Sequence, residues 1–301
     1  MKTRLILLTT LLAVATAVVG QNRYLDNIKK AEAGDAEAQF EVGKAYDLGE
    51  GVEKDLAQAA VWYKRSASQG NMKAQNNLGL AYKNGEGVKK DPVEAARWFQ
   101  KAAEGGDVAA QYNLGQFYYR GIGVKEDKAE AVKWYRKAAD QGDMMAQYNL
   151  GVCCFEGIGV GQNKSEAVQW YRKAADQGLA LAQCNVGSCY ALGDGVGLDL
   201  VEAVKWYRKA AEQGDRMGQY DLARCYDQGF GVEQDFVEAA KWYRRAAEQG
   251  DMKAMAYLGL CYECGDGVGQ SVAEALKWYR KAADLGSPLA KESLSRLESA
   301  E

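Results

Sequence analysis

An all-α fold, an α/α superhelical solenoid of seven 36-residue helix-turn-helix repeats with a capping helix at each end, is what this sequence predicts. Three observations carry that prediction. The seven tryptophans, Trp62, Trp98, Trp134, Trp170, Trp206, Trp242 and Trp278, stand at one fixed interval. Eight glycines, from Gly34 and Gly70 to Gly250 and Gly286, keep the same interval. The stretch Glu130 to Ala139 recurs with small edits around each tryptophan. Self-similarity at a single period over most of a chain is the signature of stacked repeats. A solenoid grows by stacking, so 301 residues need not mean two globular domains.

In chain order, residues 1–20 read as a secretory signal. Lys2 and Arg4 precede an apolar run from Leu5 to Val19. Ala15-Thr16-Ala17 and Val18-Val19-Gly20 offer small-x-small cleavage patterns, and the run is short for a membrane span. Cleavage would leave no integral membrane segment. Residues 21–34 form an N-terminal cap, half a repeat, with Leu25, Ile28 and Ala31 at helical spacing.

Residues 35–286 hold the seven repeats, which start at Asp35, Asn71, Asp107, Asp143, Leu179, Asp215 and Asp251. Helix A is expected over positions 2–14 of each. In the third copy Ala110, Leu114, Phe117 and Tyr118 make its apolar face. Gly115 recurs in six of the seven copies, with Ala223 in the sixth. A mid-helix glycine costs about 1 kcal/mol against alanine, so close approach of the partner helix is the expected reason. The Gly121-Ile122-Gly123-Val124 turn follows a helix and lacks a Lys-Ser/Thr ending, so it reads as a C-cap and reversal rather than a phosphate loop. Helix B opens with a capping box, Asp127 with Glu130 and likewise Asp91/Glu94, Asp199/Glu202 and Asp235/Glu238. Pro92 falls at a first helical position, where its missing N–H costs nothing. Ala131, Trp134, Tyr135, Ala138 and Ala139 form the buried stripe, with Lys133, Arg136 and Lys137 facing solvent. Residues 287–301 begin an eighth helix A. There Ser295 and Glu298 replace the packing glycine and tyrosine, as a polar C-terminal cap requires.

Composition narrows function. The net charge of −3 disfavours nucleic acid and anionic membrane faces as partners. The chain has no histidine, which removes the commonest general base and transition-metal ligand. No catalytic residue, no cofactor site and no metal site is therefore expected, and the repeated acids are explained as helix caps. Cys153, Cys189, Cys225 and Cys261 occupy one repeat position, where earlier copies have Ala45, Ala81 and Phe117. That placement predicts buried packing thiols. Cys261 and Cys264 form a lone C-x-x-C, for which a local disulfide stays open.

The pattern Ala-x-x-x-Leu-Gly-x-x-Tyr, then Gly-x-Gly-Val-x-x-Asp, then Glu-Ala-x-x-Trp-Tyr-x-Lys-Ala-Ala-x-x-Gly reads from Ala74 to Gly106 with small changes and recurs in the other copies. It resembles the Sel-1-like repeat family, relatives of the tetratricopeptide repeats. The resemblance implies stacked helical hairpins and a non-enzymatic scaffold or adaptor that binds another protein or peptide. Exported members include cysteine-rich proteins with proposed β-lactam binding, so a hydrolase of that type is one alternative and a peptidoglycan-binding envelope module another. The corresponding Lys-Ala-Ala segments here carry alanine. An exported monomer, periplasmic or secreted, is the resulting expectation.

By analogy with tetratricopeptide geometry, helix A lines the concave face, with positions 3, 6, 10 and 13 directed into it. Scaffold positions are alike in every copy, so partner choice must rest where copies differ. The candidate groove is Tyr112, Tyr119, Met145, Tyr148, Phe155, Met217, Tyr220 and Arg224, with Leu181, Cys184 and Ser188 at equivalent positions. Aromatics, methionine and arginine are enriched at binding surfaces. The competing reading is that these aromatics wedge between neighbouring A helices as extra packing.

Overall fold

The computed structural model describes residues 20–299. Apart from Gly20, the expected leader lies outside the described residues. Among the described residues every element is a helix. The first, α1, covers 20–32. The A helices are α2 (Ala36–Leu48), α4 (Met72–Asn84), α6 (Val108–Arg120), α8 (Met144–Glu156), α10 (Ala180–Leu192), α12 (Arg216–Gln228) and α14 (Met252–Cys264). The B helices are α3 (Leu56–Ser68), α5 (Pro92–Glu104), α7 (Lys128–Asp140), α9 (Lys164–Asp176), α11 (Leu200–Glu212), α13 (Phe236–Glu248) and α15 (Val272–Asp284), and α16 (Pro288–Glu298) closes the series. Each A helix occupies positions 2–14 of its repeat, as the sequence predicts. The chain falls into two compact units, Met1–Ala146 and Gln147–Glu301.

Within a repeat, the glycine of helix A and the tyrosine of helix B fix the distance between the two helices. A Cβ on Gly115 would stand 2.6 Å from Cδ1 of Tyr135, and one on Gly151 equally close to Tyr171. The tyrosine ring thus lies flat on the bare backbone, and any side chain at the glycine would push the pair apart. The ring is what demands the glycine.

Helix starts are capped as expected, with one correction. The Asp127 carboxylate accepts from the Glu130 N–H at 2.9 Å. The return half of the capping box is absent at all four expected pairs. The N–H of Asp127 donates instead to the Tyr118 carbonyl at 2.9 Å, and those of Asp91, Asp199 and Asp235 do the same toward Tyr82, Tyr190 and Tyr226. Each glutamate, its backbone target already satisfied, turns to the residue three places on. Glu130 pairs with Lys133 at 2.7 Å, Glu94 with Arg97, Glu202 with Lys205 and Glu238 with Lys241.

The tryptophans are the strut the periodicity predicts, with six buried and Trp98 partly so. Their outer faces are roofed by cations one turn on. Lys137 Nζ sits 3.8 Å above the Trp134 ring, Lys173 3.8 Å above Trp170 and Lys209 3.9 Å above Trp206. Lys137 is exposed, as expected, with its ammonium group laid over the Trp134 ring in a cation–π contact.

A second tie is polar. Gln39, Gln75, Gln111, Gln183 and Gln219 are buried and donate to the carbonyls of Ala31, Ala67, Ala103, Ala175 and Ala211, each in the preceding repeat or cap. In return Gln69, Gln141, Gln213 and Gln249 donate to the side-chain oxygens of Gln39, Gln111, Gln183 and Gln219 at 2.7–2.8 Å. Each of these helix-end carbonyls also accepts from the N–H of the glycine three residues on, and this ladder gives it a second bond from the next repeat. In the seventh repeat both members become apolar together, Met255 and Leu285.

At the N-terminal cap the packing differs from expectation. Leu25 is exposed, whereas Tyr24 stacks edge-on against Tyr46 with their hydroxyls 2.9 Å apart. Ile28 and Ala31 do pack, against Val42 and Trp62. At the other end Ala290 is buried, Leu294 and Leu297 pack on the core, and Arg296 pairs with Glu263 at 2.6 Å.

Candidate functional site

The variable face of the A helices is built on the same tyrosine that sits on the glycine. In the first unit Tyr112 and Tyr119 flank Tyr135, with ring centroids at 6.0 and 6.3 Å. Tyr112 also accepts a hydrogen bond from Gln116, and Tyr119 is covered by Lys128 at 3.8 Å from its centroid. Met145 lies half-buried in the first turn of α8.

In the second unit Tyr148 and Phe155 flank Tyr171 in the same way, at 5.9 and 6.3 Å. Tyr220 lies 6.1 Å from both Tyr243 and Tyr257, which stack on each other at 5.4 Å with their planes 10° apart. Burial raises the Tyr220 hydroxyl to about 12, so it remains a neutral donor and acceptor at any physiological pH. Arg224 and Met217 are exposed. Five of the eight predicted residues, Tyr112, Tyr119, Tyr148, Phe155 and Tyr220, thus lie against a helix B tyrosine. Arg224 lies 5.8 Å from the Tyr220 ring centroid, and Met217 is exposed in the first turn of α12.

One expectation at this face needs correction. Cys184, read as facing the groove, is buried, and its thiol donates to the Asp215 carboxylate at 3.1 Å. It tucks under the start of the next A helix, where a Cβ on Gly218 would stand 3.1 Å from its sulfur. The aromatics rest on the tyrosine of their own repeat, and two of them also reach the next A helix, Tyr220 against the Tyr257 ring and Tyr148 against Asn185.

Sequence reasoning missed two contributors. One is the helix B tyrosine itself, whose hydroxyl reaches the variable face. Tyr63 donates to Asp47 at 3.1 Å, Tyr207 to Ser188 at 3.2 Å and Tyr279 to Glu263 at 2.8 Å. The other is position 7 of helix A, Asn77 and Asn185 in two copies, which hydrogen-bond Tyr63 and Tyr171. The signal was available as a polar residue at a near-constant position on an otherwise apolar helix. In the sixth repeat that position is Asp221, whose carboxyl burial raises to about 6, against the opposing pull of Arg224 and Lys253.

Two cavities open on this face in the second unit. One, of about 320 Å3, lies among Phe155, Tyr171, Asn185 and Leu192. The other, of about 410 Å3, lies among Leu192, Leu198, Tyr207, Asp221, Arg224 and Phe230. The first unit has one of about 140 Å3 beside Tyr63 and Asn77. All three occur at corresponding places in the repeat.

Among the described residues no group of three or more His, Cys, Asp or Glu side chains is arranged to hold a metal ion. Cys189, Cys225 and Cys261 are buried thiols, as their shared position predicts, and burial pushes each above the ordinary thiol range. Cys264 is an exposed thiol and forms no disulfide with Cys261. No helix among the described residues is long and apolar enough to cross a membrane.

Seven consecutive stretches match the Sel1 repeat: 36–71, 73–107, 108–143, 145–179, 180–215, 216–251 and 253–287. Among solved structures, the chain is similar to a protective antigen present in uropathogenic Escherichia coli strains that displays an SLR fold. The identity is 42%, the TM-score 0.87, and the match covers 91% of this chain and 59% of that one. It is also similar to a Sel1 repeat protein from Oxalobacter formigenes, with 35% identity, a TM-score of 0.73, and 90% and 78% of the two chains covered. This chain thus spans about three-fifths of the length of the antigen. No curated protein matches it. Proteins built of this repeat typically serve as protein-interaction scaffolds and are generally non-catalytic.

Proposed function

We propose, from the premise that this chain belongs to the Sel1 repeat family, that it is an exported, non-catalytic scaffold holding a protein or peptide segment against its A-helix face. One observation carries the reading. The side chains that differ between copies gather on that face, aromatic and half-buried, over a tyrosine floor that the scaffold repeats. Tyr148 and Phe155 over Tyr171, and Tyr220 over Tyr243, present rings already held in place, so a partner gains apolar contact with little side-chain ordering to offset.

Export rests on the leader-like residues 1–20 and is in keeping with a 42%-identical relative that is a protective antigen. Fractionation of the host, with N-terminal sequencing of the mature chain, tests it. A chain retained in the cytoplasm with Met1 intact would rule it out.

For the scaffold reading, a photo-crosslinking amino acid replaces Tyr148 or Tyr220 in the native host, with exposed Gln169 on α9 as control. The expected result is one and the same protein crosslinked from 148 and 220 and not from 169. Equal capture from all three positions, or capture by isolated peptidoglycan sacculi instead, overturns it.

A further inference from the structure

The larger cavity of the second unit differs from its counterparts in what surrounds its mouth. Leu192, Leu198 and Phe230 are 71%, 66% and 44% exposed. The residues corresponding to Leu198 are Lys54, Lys90, Glu126, Gln162, Gln234 and Gln270. Those corresponding to Phe230 are Glu50, Glu86, Ile122, Ile158, Asp194 and Asp266. Repeat five alone has therefore exchanged a charged or amide side chain for a large apolar one at the Leu198 position. Leu198 and Phe230 line a single opening of about 410 Å3. Nothing in the repeat's own packing asks for Leu198, since the other copies fold with a charged or amide side chain there. Clustered exposed apolar side chains around a concavity mark interaction sites.

The lip also carries a charge. Arg224 lines the cavity with its side chain 47% exposed. Its guanidinium stands 3.8 Å from Asp221, beyond hydrogen-bond range, and makes no hydrogen bond among the described residues. Asp221 is mostly covered, its side chain 20% exposed, and Lys253 offsets it from the next repeat. Asp227, on the same helix, is engaged by Tyr243 and Gln228. The charge a partner meets at the lip is therefore the guanidinium, whose planar fork matches a carboxylate.

We propose that this cavity is an anchor site for an extended partner segment in which a large apolar side chain is followed within a few residues by an acidic one. The apolar side chain enters between Leu192, Leu198 and Phe230, and the carboxylate meets Arg224. The inference rests on the scaffold reading and adds the chemistry of the partner to it.

The probe is an array of ten-residue Gly-Ser peptides, each with one Leu, Phe or Trp followed one to four places on by Asp, Lys or Ala. It is incubated with the full chain. Peptides with an acidic neighbour should be retained roughly tenfold more than those with Lys. Arg224→Glu should invert that preference, and Leu198→Lys should abolish retention. Tyr112→Ala, in the other unit, should leave it unchanged. Because Leu198 is exposed, the thermal melt of Leu198→Lys should match the wild type. Arg224→Glu sets a second carboxylate beside Asp221 and is read only at a temperature where its melt shows it folded. Retention of no peptide above background, equal retention of Asp and Lys peptides, or unchanged binding by Leu198→Lys overturns the proposal. The crosslinking experiment separates the two readings. A protein captured from position 148 at wild-type level in the Leu198→Lys, Arg224→Glu double variant leaves the scaffold standing and removes the anchor site. Loss of all specific capture from both 148 and 220 in the unaltered chain removes the scaffold reading first.

Discussion

The loops joining helix A to helix B in the two units are nearly identical in backbone and opposite in character. In the first unit they carry Lys54, Lys89, Lys90, Arg120 and Lys125, interleaved with Glu50, Glu53, Glu86 and Glu126. In the second, the four loops from Glu156, Leu192, Gln228 and Cys264 contain no lysine or arginine, and Leu198 and Phe230 stand exposed there. What holds the loop is shared. A Cβ on Gly123 would lie 2.1 Å from the Pro92 carbonyl oxygen, and one on Gly231 2.1 Å from that of Leu200. Each second glycine, at φ 66° and 68°, lets the turn rest against the start of the preceding B helix. The difference between the units thus costs the fold nothing. Positions without a structural duty are where a solenoid is free to encode recognition.

If the scaffold is equivalent in the two units, Trp134→Ala and Trp242→Ala should each remove about 3–5 kcal/mol, measured by chemical denaturation. A cost below about 1 kcal/mol in either unit would break the equivalence and the strut assignment with it.

Asp221 should set the units apart by pH. Burial raises its pKa from 3.8 to about 6 in the folded chain. The folded state therefore binds the proton more tightly than the unfolded state, and stability falls as pH rises between those values. Asp221→Asn restores the residue that Asn77 and Asn185 supply in other copies. It should stabilise the protein by about 2–3 kcal/mol above pH 6.5, with the gain fading toward pH 4. A gain independent of pH would mean that the carboxyl is not the cause.

Gly115→Ala should cost about 1–3 kcal/mol, because the Tyr135 ring must move. Ala223, at the same position in the second unit, is already accommodated beside a buried Tyr243. Ala223→Gly should therefore change stability by no more than about 1 kcal/mol. Equal and opposite effects would show that the ring contact is not what fixes the helix spacing.

The smallest contrast concerns one hydrogen bond. Trp242 Nε1 donates to Glu238 at 3.1 Å, whereas the buried Trp134 Nε1 has no partner. Trp242→Phe should cost about 1 kcal/mol more than Trp134→Phe, read from paired melts.

Helix bounds, the buried thiols and the glycine set against a partner helix, though not the Tyr135 ring that it meets, were legible in the sequence because each occupies a fixed position of the repeat. The return half of the capping box was not. Whether Glu130 reaches its own N-cap depends on Tyr118 offering its carbonyl first, a contact across the loop. The glutamine ladder was hidden for a related reason. Nothing along a single helix pairs Gln111 with Gln141 until Ala103 of the preceding repeat is placed beside them. On the variable face, Tyr148, Phe155 and Tyr220 could be picked out as differences between copies in helix A. Leu198 and Phe230 escaped because they lie in a loop, where no periodic face directs attention to them. Cys184 misled because position 6 sits at the border of the face, and a small thiol there turns inward where a tyrosine cannot.

The glutamine ladder also bears on how such a chain can change length. Gln75 donates to the Ala67 carbonyl and Gln111 to that of Ala103, so the acceptor always lies eight residues upstream of the donor. Excising residues 71–106 would bring Gln111 to Ala67 with the same spacing, and the seam would carry the same hydrogen bond as before. Excising one residue more or fewer would leave a buried amide facing the wrong group. The ladder therefore fixes register only where a cut falls between an acceptor and its donor: a whole repeat removed there restores the hydrogen bond, and a fractional one does not.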